Sequence, residues 1–282
     1  VEWAAVILDE AQNIKNAETQ QAKAARALRA ARRIALTGTP IENHIGDLWS
    51  VQEFLNPGFL GNAARFKREF FLPVQVQRDE NAMRRLQRLT GPFTLRRLKT
   101  DRAIIQDLPD KLEMKVYCTL TREQATLYAA VVQQAEAVLD GAEGMSRRGL
   151  ILSTLLRLKQ ICNHPAQYLK QHHEQVGADL SGKAQRFLEL IADIDASHGK
   201  VLVFTQFREM GELLVSWLHE RYRREPLFLH GGLTRNQRDA LVERFQNDRT
   251  ERVFILSLKA GGTGLNLTAA SSVIHYDLWW NP

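Results

Sequence analysis

The chain opens on Ala4-Ala5-Val6-Ile7-Leu8, an unbroken apolar run closed by Asp9-Glu10. Such a run fits a strand of a parallel sheet buried on both faces. It delivers its acids to the carboxyl end of the strand, where open α/β sheets collect their active sites. Residues 17–31 are rich in Ala, Gln, Lys and Arg and predict a helix. Residues 33–36 read as the next strand, and Thr37-Gly38-Thr39-Pro40 turns the chain, giving a β-α-β unit. From residue 42 to about 133 the pattern turns helical and irregular, with Leu48, Trp49, Phe54 and Leu55 at helical spacing and Pro57-Gly58 as a break. We read this as an inserted helical region.

Within that region Leu108-Pro109-Asp110-Lys111 marks a turn. Residues 114–120 read as a strand leading into a helix capped by Thr121 and running to Val132. Residues 141–149, with three glycines, read as a flexible connector, and 150–161 as an apolar helix ended by Asn163-His164-Pro165. After Gly182 the alternation restarts. Helices are predicted over 184–197, 208–222 and 234–247, and strands over 200–204, 226–229, 253–256 and 273–276. The expected fold class is α/β, with two doubly wound parallel-sheet lobes and inserted helical regions. The expected divisions are 1–135, 136–182 and 183–282.

Composition narrows this little. A chain of 282 residues with 44% hydrophobic content can bury two cores of ordinary size. Lys and Arg (38) exceed Asp and Glu (32), a surplus of 6 that favours a polyanionic partner without identifying it. The two cysteines, Cys118 and Cys162, are far apart and form neither a disulfide framework nor a CxxC zinc half-site. Cys162, His164, His172 and His173 match no standard zinc spacing. No run approaches the roughly 18 to 20 apolar residues that cross a bilayer, so a soluble protein of a reducing compartment, with no membrane partner, is expected.

Asp9-Glu10 is a pair that can do metal-assisted phosphate chemistry, one acid holding Mg²⁺ and its neighbour orienting water. Read alone, it fits a solvated strand end better. Thr37, Gly38 and Thr39 at the neighbouring strand end can sense the state of that pair. The loop 257–267 carries Gly261, Gly262 and Gly264, whose backbone N–H groups can approach phosphates, with Ser257, Lys259, Thr263 and Asn266 to complete the contact. In isolation it reads also as a tight turning loop. Trp217 lies on an amphipathic helix and belongs to a core stripe, and Arg84, Arg85 and Arg88 form a solvated helix face.

In order along the chain, these blocks resemble the Swi/Snf-type ATPases of helicase superfamily two. Residues 9–16 and 37–43 resemble motifs two and three, and Val201-Leu-Val-Phe-Thr-Gln-Phe207 resembles motif four. His230-Gly231-Gly232 with Arg238 and Phe245 resembles the segment after it. Residues 257–267, and then 273–282 ending Trp279-Trp280-Asn281-Pro282, resemble motif five and its succeeding strand. Residues 95–99 with Leu108-Pro109, and 158–165 ending Cys162-Asn163-His164-Pro165, resemble the blocks that lead into the second lobe.

The resemblance implies RecA-like lobes, ATP and Mg as cofactors, and a monomeric motor. That motor moves along double-stranded DNA and acts on DNA-bound protein complexes in a bacterial cytoplasm, associated with the nucleoid. It implies Asp9 on Mg²⁺, Glu10 activating water with Gln12 beside it, and Thr37, Gly38 and Thr39 coupling the lobes. Gly262, Gly264 and Asn266 are implied at the nucleotide, and Thr205, Gln206, His230, Gly231 and Lys259 on DNA phosphates, with binding that weakens steeply as salt rises. Gln12 replaces the superfamily's usual His, and Leu278 stands where a basic residue is frequent. The chain shows no GxxxxGK[ST] loop and no sixth motif, so by itself it is expected not to hydrolyse ATP appreciably. An RNA helicase of the same superfamily and a non-hydrolysing nucleic-acid-binding scaffold remain as alternatives.

Overall fold

The computed structural model describes residues 1–38, 44–96, 111–139, 144–171, 176–258 and 265–279. They fall into two compact units, Val1–Leu112 and Glu113–Pro282.

In the first unit β1 (Glu2–Leu8) pairs in parallel with β2 (Arg29–Ala35), from Glu2↔Arg29 to Leu8↔Ala35. The two are joined by α1 (Gln20–Ala27), whose Thr19 cap accepts from the Ala22 N–H at 3.2 Å. The helix is shorter than its composition predicts and β2 starts earlier, because ladder bonds to β1 take up residues Arg29 to Arg32. Val6, Leu8 and Ala35 pack on Ile14, Ala22, Ala25 and on Val51 and Phe54 of α2 (Gly46–Leu55). Successive strand residues point to opposite faces, so the partners Ile7 and Ile34 lie on the other side, where they are 60% and 46% exposed. This corrects the expectation of a strand buried on both faces: among the described residues only one face is covered.

The inserted helices have a core of their own, formed by Ile45, Leu60, Phe66, Phe70 and Leu86. It is built from α2, α3 (Ala63–Phe66), a π-helical stretch (Lys67–Val76) and α4 (Glu80–Thr90). Pro73 lies inside the π-helical stretch and has no N–H to donate, which fits the wider bonding there, with the Gln77 N–H reaching the Leu72 carbonyl at 3.1 Å. Arg84, Arg85 and Arg88 lie on the exposed side of α4. Arg84 pairs with Glu80, and Arg85 reaches Glu69 and lies over the Phe70 ring.

The second unit begins at Glu113, and residues 111–120, across that boundary, are exposed and in no strand. The predicted strand at 114–120 is therefore absent: a strand forms only with a neighbouring strand to bond, and among the described residues none pairs with this segment. The helix α5 (Arg122–Leu139) follows, its Gln124 N–H capped by the Thr121 hydroxyl at 3.2 Å as expected. Then come α6 (Gly144–Asn163), α7 (Pro165–Leu169) and α8 (Gly182–Ala196). The expected connector at 141–149 is in fact helical from Gly144 onward. The Met, Arg and Leu residues around its glycines favour helix, and α6 packs along α5.

The sheet that follows is wholly parallel, in the order β4-β5-β3-β6. Its strands are β3 (Val201–Thr205), β4 (Leu227–Leu229), β5 (Val253–Ser257) and β6 (Ser272–His275). Val201, Val203 and Ile255 face α8 and α9 (Arg208–Tyr222), meeting Phe187, Leu213, Leu214 and Trp217. Leu202, Phe254 and Leu256 face the opposite way onto Phe245 of α10 (Arg235–Asn247). Helices cover both faces, which makes this sheet doubly wound, and Trp217 belongs to the core as its helix pattern predicts.

Candidate functional site

At the carboxyl end of β1 the chain turns sharply. Glu10 adopts a left-handed conformation (φ 51°, ψ 48°), uncommon outside glycine, and its N–H donates to Asp9 Oδ1 at 2.9 Å. The turn leaves Asp9 exposed and half-buries Glu10. Two residues on, Gln12 Nε2 donates to Glu10 Oε2 at 2.6 Å, while Gln12 Oε1 accepts from the Thr37 hydroxyl at 2.7 Å. The β1 and β2 ends are further tied by the Leu36 N–H to the Leu8 carbonyl (2.8 Å) and the Ala11 N–H to the Leu36 carbonyl (2.9 Å). Thr37, Gln12 and Glu10 thus form one hydrogen-bonded series from the end of β2 to an acid at the end of β1. The amide at position 12 uses both of its ends, one a donor and one an acceptor.

The carboxyl edge of the second sheet carries the other group of candidates. Thr205 ends β3, yet it is fully buried and its hydroxyl donates to Asp277 Oδ2 at 2.6 Å, so the structure places it on that acid and not at the surface. Gln206 donates its backbone N–H to Asp277 Oδ1 at 2.7 Å and carries its side chain outward, with Nε2 3.5 Å from the Leu278 carbonyl. His230 follows β4 half-buried, its Nδ1 accepting from the Gly232 N–H at 3.1 Å and its ring 5.0 Å from that of Phe228. Burial, then the nearby Arg208 and Arg238, hold its pKa below the usual imidazole value. Gly231 is exposed with open space around it, and a side chain on Gly232 would press on the His230 ring at 3.2 Å. Asn266 is exposed between Leu265 and Leu267, which pack into the core beneath.

Behind this edge lies a buried polar cluster. Asn163 at the end of α6 donates to Asp277 Oδ2 at 3.2 Å and accepts from Lys183 Nζ at 2.8 Å. Burial lowers the Lys183 pKa, opposed by the Asp277 carboxylate. The Asn163 carbonyl accepts from the Ser181 hydroxyl (2.7 Å) and the Tyr276 hydroxyl (3.2 Å), and burial pushes the Tyr276 pKa far up. Gln124 caps the end of the same helix through the Ile161 carbonyl at 2.7 Å. His164 uses both ring nitrogens on backbone, Nδ1 accepting from the Ala166 N–H and Nε2 lying 3.1 Å from the Gly177 carbonyl.

Two family descriptions divide the chain between them. "SNF2-related domain" matches residues 1–167, and "Helicase conserved C-terminal domain" matches residues 182–282. The chain belongs to the SNF2-related family.

Its relatives include "Putative ATP-dependent helicase/translocase YwqA" of Bacillus subtilis (strain 168), 47% identical over 282 residues. That alignment takes in 100% of this chain and 30% of YwqA, so the SNF2-family chain spans under a third of that relative's length. "DNA repair and recombination protein RAD26" of Saccharomyces cerevisiae is 33% identical over 305 residues, again 100% of this chain but 27% of the relative. Among solved structures, "Sulfolobus solfataricus SWI2/SNF2 ATPase core in complex with dsDNA" matches with a TM-score of 0.58 and 45% identity. It covers 99% of this chain and 59% of that one. The fold is thus that of a SWI2/SNF2 ATPase core with RecA-like lobes, as the sequence resemblance implies.

In this SNF2-family chain Asp9, Glu10, Gln12, Thr37 and Gly38 stand together at one strand edge of the first unit. Gln206, His230 and Gly231 stand on the carboxyl side of the second sheet, and Asn266 lies exposed on the segment that leads back to the start of β6. Thr39, Lys259, Gly262 and Gly264 lie outside the described residues. Sequence reasoning missed Asp277, Asn163 and Lys183, which lie behind the second site, and Arg208, which lies beside His230. The signal for Asp277 was present: like Asp9, it comes just after a strand, separated from β6 only by Tyr276, and each acid receives a backbone N–H from the turn it belongs to or faces.

Proposed function

We propose that this chain is part of the motor core of an ATP-dependent translocase on double-stranded DNA, a monomer that remodels DNA-bound protein complexes. The observation that carries the reading is the series Glu10–Gln12–Thr37, which links an acid at one strand end to the neighbouring strand end in a chain of the SNF2 family. Asp9 is exposed and offers carboxylate oxygen, the donor type Mg²⁺ prefers, so the residues present fit that ion. When bound with ATP, Mg²⁺ neutralises charge on the phosphate oxygens.

Glu10 orients the attacking water and takes its proton, held in place by the Gln12 amide. A change in the Glu10 hydrogen bond is felt at Thr37 through that same amide. Gln206, His230 and Gly231 meet the DNA backbone rather than base edges, as a motor indifferent to sequence requires. The presence of dsDNA in the Sulfolobus complex supports the choice of duplex.

The test is ATP turnover of the full-length protein with duplex DNA, single-stranded DNA or RNA. Duplex DNA should stimulate most, and Glu10→Gln should lower stimulated turnover by about 100-fold or more while ATP binding persists. Preferential stimulation by RNA would replace this reading with that of an RNA helicase, and near-normal turnover in Glu10→Gln would remove Glu10 from its role.

A further inference from the structure

Two buried side chains from distant parts of the second unit meet behind the β3–α9 turn. Asp277 is 5% exposed, and Asn163 is wholly buried. A buried carboxylate is costly to desolvate unless its oxygens are occupied, and here each oxygen has an assigned partner. Oδ2 accepts from the Thr205 hydroxyl (2.6 Å) and Asn163 Nδ2 (3.2 Å), and Oδ1 accepts from the Gln206 N–H (2.7 Å). An apolar side chain of similar volume would fill the same space without that cost. What the carboxylate adds is direction: two consecutive residues are held by its two oxygens, which fixes how Gln206 leaves the strand.

The outer end of the turn is tied to the same segment. Gln206 Nε2 lies 3.5 Å from the Leu278 carbonyl, to which Lys159 of α6 donates at 2.8 Å. Asn163, four residues further along α6, has its Oδ1 taken by Lys183 and so can turn only its amide donor to Asp277. Helix α6 therefore reaches the turn by two routes, through Asn163 and through Lys159.

We infer that Asp277 is a positioning residue for the β3–α9 turn, presenting Gln206 to a DNA phosphate, and that Asn163 couples this turn to α6. The inference rests on the reading of Gln206 as a backbone contact. It is tested in the full-length protein by duplex binding in fluorescence anisotropy, with the half-saturating DNA concentration and maximal rate of ATP turnover measured alongside. Asp277→Asn turns one of the two acceptor oxygens into an amide donor, which must face either the Gln206 N–H or the Thr205 and Asn163 donors. It should weaken duplex binding about tenfold while the maximal rate at saturating DNA stays within about twofold. A general loss of structure would lower both.

Combined with Gln206→Ala, Asp277→Asn should add no further loss, because it acts through that side chain; additive losses overturn the positioning role. If Asp277→Asn does not fold, Thr205→Val removes one donor at nearly constant volume and should weaken duplex binding in the same non-additive way. Unchanged binding in Thr205→Val overturns the inference. Wild-type binding in Gln206→Ala overturns the DNA reading of the turn itself, whereas weakened Gln206→Ala beside an unaffected Asp277→Asn overturns only the positioning.

Discussion

The side-chain amide of Gln12 donates to the Glu10 carboxylate across 2.6 Å, which fixes an acid that the left-handed turn at Glu10 has already aimed. A hydrogen bond to a charged acceptor is among the stronger kinds, and this one starts the series to Thr37.

Replacing Gln12 by Glu keeps the length of the side chain but sets a second carboxylate against Glu10. Two such groups at hydrogen-bond distance repel each other, so Glu10 loses the donor that holds it and is pushed from its place. ATP turnover in the full-length protein should fall about 100-fold in Gln12→Glu and about 10-fold in Gln12→Ala, since losing a hydrogen bond to a charge costs about 1.5–3 kcal/mol. ATP binding should change little. Steady-state turnover and equilibrium nucleotide binding check both, and equal turnover in wild type and Gln12→Ala would remove the amide from the catalytic arrangement.

Two glycines at helical positions should respond oppositely to alanine. Gly149 lies inside α6 with nothing within 4 Å of the place a Cβ would take, so Gly149→Ala should stabilise by about 0.5–1 kcal/mol. Gly182 opens α8, and a Cβ there would come within 2.1 Å of the Thr119 carbonyl oxygen, a backbone atom that can yield only if residues 111–120 shift. The helical gain is outweighed, and Gly182→Ala should destabilise by about 1–3 kcal/mol. Urea unfolding of both variants gives the signs, and faster proteolysis near Thr119 in Gly182→Ala would locate the strain.

The second sheet was the most legible part of the fold. Its strands are short apolar runs and its helices carry their own signals, as with Thr234, whose hydroxyl accepts from the Gln237 N–H at the start of α10. The segment around Met114 misled because residue types can suggest a strand, whereas a strand exists only through a partner. Ile7 misled in the opposite sense: its run announces two apolar faces but not which of them finds cover. In the site, Asp9 and Glu10 were legible because acids after an apolar strand stand out. Gln12 as a two-ended bridge to Thr37 depends on the φ of Glu10, which no residue pattern specifies. Asn163 and Asp277 are separated by more than a hundred residues, and only the tertiary fold brings them together.

His164 should make the protein acid-sensitive in a predictable window. The ring is buried beside Trp217, with centroids 5.1 Å apart, and its Nδ1 accepts the Ala166 N–H that starts α7. A second proton on the ring would need that nitrogen and would uncap the helix. Burial accordingly lowers the His164 pKa from 6.5, against the opposing pull of the Gly177 carbonyl and Asp179. The unfolded chain takes up a proton as pH falls through about 6.5 while the folded chain does not, so the unfolded state binds more protons in this window. The contribution is complete above about pH 6.5 and is lost as pH falls toward the folded pKa, with a slope of up to about 1.4 kcal/mol per pH unit. His230 is lowered too, but it is present in wild type and in His164→Asn alike and cancels in their difference. His164→Asn keeps an N-cap acceptor and removes the titration, so it should be less stable at about pH 7.5 yet lose less on going to about pH 5.5. Urea unfolding at both pH values decides the matter, and parallel losses in the two proteins would mean that His164 is not the group responsible.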